Sequence, residues 1–198
     1  MEIRRAGDRA LLVETGAPHA LRAAVAAAGL PGVAEIVPGE RTVLVVFDGP
    51  PGDAAERIRA LEAGAAEPRG RLVEIPVVYD GADLAEVAEV TGLAPGEVVR
   101  RHCAAEYRVA YLGFSPGFAY LTGIDPALVV PRRTTPRTSV PAGSVAIAGP
   151  YTAVYPSASP GGWRLLGRTA LALWDADRDP PSLLEPGDRV RFRELSEA

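Results

Sequence analysis

Pro141-Ala142-Gly143-Ser144-Val145-Ala146-Ile147-Ala148-Gly149-Pro150-Tyr151-Thr152-Ala153-Val154-Tyr155-Pro156 sets two β-prone runs, residues 145–148 and 151–155, between glycine and proline breakers. Each run is too short for an independent helix, and the breakers at both ends forbid extending it. The same texture spreads outward. Between Tyr111 and Arg168 there are eight prolines and eight glycines. Further β-prone runs lie at residues 163–166 and 170–174. After the turn Pro186-Gly187-Asp188 comes a last strand, residues 188–193, with Val190 and Phe192 on one face and Arg189, Arg191 and Arg193 on the other. Many short strands bounded by turns predict a closed or nearly closed β-barrel.

The first eighty residues read differently. Residues 9–14 are strand-like, and Leu21, Ala24, Val25 and Ala28 follow Pro18 at helical spacing. Residues 33–37 and 42–47 are strands joined through Pro38-Gly39-Glu40. Asp53 and Glu56 have the spacing of a capping box. Ala54, Ile58, Leu61 and Ala65 then form one apolar stripe, and residues 71–78 return as a strand. The order βαββαβ predicts a ferredoxin-like α+β domain over residues 1–80. Residues 81–198 are expected to hold two helices leading into the barrel, one starting at Asp83 with Glu86 three positions on, the other running from Pro95 to about Cys103.

The 198 residues suffice for one large domain or two small ones. With 47% hydrophobic and 23% charged residues, a packed core is expected. The longest apolar runs are short, so no membrane partner is expected, and the N-terminus lacks the apolar stretch of a secretory signal. The single cysteine forms no internal disulfide, no Cys/His spacing suggests zinc, and a cytoplasmic location is expected. All 21 basic residues are arginine, and Lys, Asn and Gln are absent. That excludes Schiff-base chemistry, a Walker A lysine and a biotin attached to this chain.

The net charge is −4, but residues 108–174 carry six arginines against one acid, Asp125. Arginine's fork of donors matches carboxylate and phosphate. These arginines either floor a site for a small anion or pair with acids of the N-terminal half. The overall charge and the lack of a basic-aromatic motif exclude nucleic acid as a partner.

Three dense blocks follow one another: Gly113-Phe114-Ser115-Pro116-Gly117-Phe118-Ala119-Tyr120-Leu121; the segment from Pro131-Arg132-Arg133 through Pro136-Arg137 to Val140-Pro141-Ala142-Gly143-Ser144; and Tyr155-Pro156-Ser157-Ala158-Ser159-Pro160-Gly161-Gly162-Trp163-Arg164-Leu165-Leu166-Gly167-Arg168-Thr169. With the closing Gly187-Asp188-Arg189-Val190-Arg191-Phe192, they resemble the family of B-type 5-oxoprolinase subunits, also called KipI or allophanate hydrolase subunit 1. The same module forms part of the carboxyltransferase domain (subdomains C and D) of urea amidolyase.

The resemblance implies a cyclophilin-like barrel after a small α+β domain. It implies ATP-dependent opening of 5-oxo-L-proline to L-glutamate, with ATP as cosubstrate and Mg left open. The implied partners are a homologous barrel subunit of the C type and a third subunit of the A type, with the isolated chain weakly active or inactive. A histidine-kinase inhibitor and part of a biotin-dependent carboxyltransferase are the alternative roles. His102, where the family commonly has His, is a candidate base or hydrogen-bonding group, against the simpler role of satisfying a helix end. His102 and Arg137 are the candidate catalytic residues. Arg132 and Arg168 are candidates for anion contacts, and Gly113, Gly117, Gly161 and Gly162 for close backbone approach. Phe114, Pro116, Ser144, Tyr151 and Tyr155 complete the candidate binding set, with Ser144 as a donor rather than a nucleophile. One departure stands out: Tyr151 and Ala153 occupy positions where the family usually has Gln and Gly, which points to a shifted substrate, weakened activity or a structural position.

Overall fold

The computed structural model describes residues 1–61 and 69–195. They divide into two compact units, Met1–Arg69 and the residues from Gly70 onward.

In the first unit the chain forms β1 (Glu2–Arg5), β2 (Ala10–Glu14), α1 (Pro18–Ala28), β3 (Val33–Pro38), β4 (Thr42–Phe47) and α2 (Ala54–Arg59). Pro18 opens α1 where its missing N–H is harmless, and Gly29 closes it at φ 56°. The four strands form one antiparallel sheet in the order β1-β2-β4-β3. Leu11, Val13, Val43, Val45 and Phe47 alternate onto one face and bury with Leu21, Val25 and Ile58 from the helices. Asp53 precedes α2, but its side chain makes no capping bond. Ala65, expected on the same stripe, lies outside the described residues.

The expected βαββαβ order is not what forms. The edge place beside β2, which that order reserves for its last strand, is taken by β1. The strand expected there is β5 (Leu72–Val77), and it pairs in parallel with a strand from the far end of the chain. The division therefore falls between Arg69 and Gly70, ahead of the boundary expected near residue 80.

The second unit continues with α3 (Leu84–Thr91), α4 (Pro95–Ala104), β6 (Tyr107–Leu112), β7 (Ala119–Thr122), β8 (Arg137–Val140), β9 (Ser144–Ala148), β10 (Tyr151–Val154), β11 (Ser159–Gly161), β12 (Arg164–Arg168) and β13 (Arg189–Glu194). Seven strands make one sheet in the order β12-β9-β10-β7-β6-β13-β5, and β11 and β8 pair separately. The two ends of the large sheet meet. Val78, just past β5, exchanges backbone hydrogen bonds of 2.9 and 2.8 Å with Arg168 at the end of β12. The sheet is thereby nearly closed, and closure removes the exposed edges. Val190 and Phe192 point into the core while Arg191 and Arg193 stay exposed. Residues 170–174, expected to be β-prone, form no strand beyond a bridge from Trp174 to Ser182.

The seam depends on glycine. A Cβ on Gly167 would lie 2.3 Å from the Val78 carbonyl oxygen and 2.9 Å from Tyr79 Cα. Gly167→Ala is expected to lower the unfolding free energy by about 2 kcal/mol in urea denaturation, because backbone rather than a movable side chain must yield. Gly49→Ala, where a Cβ meets nothing within 4 Å, is the control and should change little.

Candidate functional site

Pleating gives β7, β9, β10 and β12 two working faces. Val145, Ile147, Val154, Leu121 and Leu166 fill the barrel core with Val87 of α3 and Val98 of α4. Ala146, Ala148, Ala153, Tyr155, Phe118, Trp163 and Leu165 form a second apolar cluster with Val140 of β8. The alanines leave room for rings. Phe118 is surrounded edge-to-face by Phe114, Tyr120, Tyr155 and Trp163, with centroids 5.1–5.6 Å away. Tyr111 stacks on Tyr120 at 4.4 Å, and Tyr151 meets Tyr120 edge-on at 5.5 Å. Phe118, Tyr155 and Trp163 are buried, whereas Tyr111, Tyr120 and Tyr151 are partly exposed. Phe114 is 62% exposed and holds φ 70°, a conformation that disfavours a bulky residue.

The arginines mostly pair with acids upstream. Asp83, 1% exposed, receives both terminal nitrogens of Arg137 at 2.8 and 2.7 Å, Arg133 at 2.8 Å and the Leu165 N–H at 2.7 Å. Arg164 pairs with Glu86 at 2.6 Å and Arg168 with Asp80 at 2.7 Å. Arg137, a candidate catalytic residue, and Arg168, expected at an anion, are therefore already neutralised. Arg132 differs: its guanidinium lies over the Trp163 ring, 5.9 Å from the centroid.

His102 is fully buried beneath the barrel. Its Nδ1 is 2.7 Å from the Tyr79 hydroxyl and its Nε2 2.9 Å from Thr152 Oγ1. The Thr152 hydroxyl donates to the Ala146 carbonyl at 3.0 Å, so it accepts from Nε2–H and leaves Nδ1 to accept from Tyr79. Tyr79 accepts in turn from the Cys103 thiol at 3.2 Å. Burial pushes the His102 imidazole down to about 3 and pushes both the Tyr79 phenol and the Cys103 thiol up. With both nitrogens occupied and no exposed surface, this imidazole joins α4 to β10 and presents no free atom to a substrate. Of the roles expected for His102, base or hydrogen-bonding group, this geometry describes the second.

A family model for the carboxyltransferase domain, subdomain C and D, matches residues 1–184. The chain belongs to this family. Within it, the B-type 5-oxoprolinase subunit of Escherichia coli O157:H7 is 46% identical over 201 residues, covering 94% of this chain and 92% of that protein. Its counterpart of the same name in Bacillus subtilis (strain 168) is 39% identical over 225 residues, covering 99% and 93%. The crystal structure of TTHA0988 superposes with a TM-score of 0.80 at 41% identity over 96% of this chain. This chain spans 40% of that longer one.

The family motifs converge on the outer face, but several of their residues serve packing. A Cβ on Gly161 would strike the Tyr155 hydroxyl at 2.3 Å, and one on Gly117 would lie 2.8 Å from Trp174 Cβ. Gly162 faces Pro136 and the Arg133 carbonyl at 3.7 Å. Gly113 has only the Tyr111 and Tyr120 rings nearby, and Pro116 is exposed. The Ser144 hydroxyl donates to the Pro141 carbonyl at 2.8 Å. Tyr151 sits at the rim of the ring cluster, while Tyr155 lies beneath it. Asp83, predicted from its spacing to Glu86 to start a helix, has a central role among the arginines that no local pattern signals. Asp83 does precede α3, but its side chain makes no cap bond and serves the arginines instead. No group of three or more His, Cys, Asp or Glu among the described residues is placed to hold a metal. No helix among them is long and apolar enough to cross a membrane.

Proposed function

We propose that the chain is the B-type member of an ATP-dependent 5-oxoprolinase complex, which opens 5-oxo-L-proline to L-glutamate. One observation carries this reading: the 46% identity runs nearly end to end, over 94% of this chain and 92% of a protein bearing that name. The outer face of the barrel supports it. Partly exposed tyrosine rings suit the flat face of a five-membered lactam, and an arginine with no carboxylate partner among the described residues suits its carboxylate.

Amide resonance protects the lactam carbonyl, and phosphorylation of its oxygen by ATP is what opens that carbon to water. This chain has no lysine for a P-loop and spends most of its barrel arginines on internal acids. In this reading it binds and orients the lactam, while the homologous barrel subunit and the third subunit complete the phosphate contacts. Coexpressed with both, the chain should copurify with them. Glutamate should form from 5-oxoproline only with ATP and only in the combination. A well-folded, assembled complex that forms no glutamate overturns the reading.

A further inference from the structure

Acids on the N-terminal side of the barrel neutralise four of the six arginines between positions 108 and 174: Arg133 and Arg137 through Asp83, Arg164 through Glu86 and Arg168 through Asp80. Arg108 also has a partner. Arg132 is the exception. Among the described residues no carboxylate pairs with it, its side chain is exposed, and its guanidinium rests on Trp163.

The chain on both sides of Arg132 is pinned. The Pro131 carbonyl accepts from Arg164 Nε at 3.1 Å, and the Arg133 N–H donates to the Gly162 carbonyl at 2.8 Å. The Arg133 side chain is anchored on Asp83. The backbone that carries this cation is ordered before it meets an anion, and a guanidinium lying over a ring face keeps its edge N–H groups available. Trp163 in turn borders partly exposed rings. Tyr120 is 5.7 Å from Trp163, and Tyr151 is 5.5 Å from Tyr120. Phe114 stands at the rim at positive φ, the kind of local strain that functional sites retain.

We propose that Arg132 binds the carboxylate of 5-oxo-L-proline on the outer face of the barrel, with the Tyr120 and Tyr151 rings alongside the lactam. This inference rests on the proposed function and adds the place and polarity of substrate binding. A single unneutralised guanidinium beside aromatic rings suits one carboxylate on a small flat ring. A triphosphate calls for several cations or an array of backbone N–H groups.

The test is steady-state kinetics of the assembled complex carrying Arg132→Ala or Arg132→Lys. Arg132→Ala should raise KM for 5-oxoproline by about 10- to 100-fold, the range for a lost charged hydrogen bond. KM for ATP should not change, and Arg132→Lys should restore part of the loss. Inhibition by 2-pyrrolidone, the same lactam without a carboxylate, should be the same in wild type and Arg132→Ala. The melting temperature should hold, because the side chain is exposed. An unchanged KM for 5-oxoproline overturns the inference and leaves the proposed function standing. A raised KM for ATP instead assigns Arg132 to phosphate and also overturns it. Absence of glutamate from the wild-type complex removes the function itself, and the inference with it.

Discussion

Asp83→Ala is expected to lower the unfolding free energy by about 4 kcal/mol in urea denaturation, the usual scale for removing one partner of a buried ion pair. Its carboxylate is 2% exposed and accepts four hydrogen bonds, three from guanidinium groups and one from a backbone N–H. Those bonds tie the start of α3 to β8, β12 and the segment before β8. Without the carboxylate, Arg137 loses its partner, and Arg133 keeps only Glu86 at 3.4 Å. Burial alone would raise the carboxyl's pKa. The bonds from Arg137 and the Leu165 N–H, with the charges of Arg137 and Arg133, outweigh burial and hold it below its ordinary value. The folded state therefore binds fewer protons at Asp83 than the unfolded chain. Its contribution is complete above about pH 4 and is lost as pH falls through the folded-state value. The difference in stability between wild type and Asp83→Ala should shrink below that pH. A variant within about 1 kcal/mol of wild type at neutral pH would show that the arginines find equal partners in water.

His102→Ala should cost a similar amount, about 4 kcal/mol, for a different reason. It opens a cavity among Tyr107, Phe192 and Tyr79, leaves the Tyr79 O–H without its acceptor and removes the N–H that Thr152 Oγ1 accepts. The pH signature separates this structural role from one in chemistry. Burial lowers the folded imidazole to about 3, whereas the unfolded imidazole titrates near about 6.5. Between these values the unfolded state holds the extra proton, so stability rises with pH and levels off above about 6.5. This one group contributes a slope of up to about 1.4 kcal/mol per pH unit. Chemical unfolding from about pH 4 to 7 should show that slope in wild type and a slope flatter by up to that amount in His102→Ala. Parallel slopes would mean that the imidazole reaches water in the folded protein.

Local pattern carried the barrel and missed its closure. The expected runs at 145–148 and 151–155 are β9 and β10, because alternation and flanking breakers are local signals. β5 reads equally well as a strand in the first unit or the second. Its partner β13 lies more than a hundred residues away, and only tertiary pairing decides. The same holds for charge. The six arginines were legible as a patch, but Asp83 meets Arg137 across 54 positions. The spacing of Asp83 and Glu86 spelled a helix cap instead. His102 was legible as an unusual polar residue at a helix end. Its depth was not, because Thr152 of β10 and Tyr79, just past β5, reach it from distant parts of the chain. Arg132 was legible as a candidate anion contact together with Arg168, and only the pairing of Arg168 and the other arginines with acids sets it apart.

The most direct test of the functional account supplies the assembled three-subunit complex with 5-oxo-L-proline and ATP, and measures glutamate and ADP in the same sample. Equal amounts of both are predicted, with neither formed when this chain is left out. ADP released with urea as substrate, or no glutamate at all from an intact complex, would contradict it.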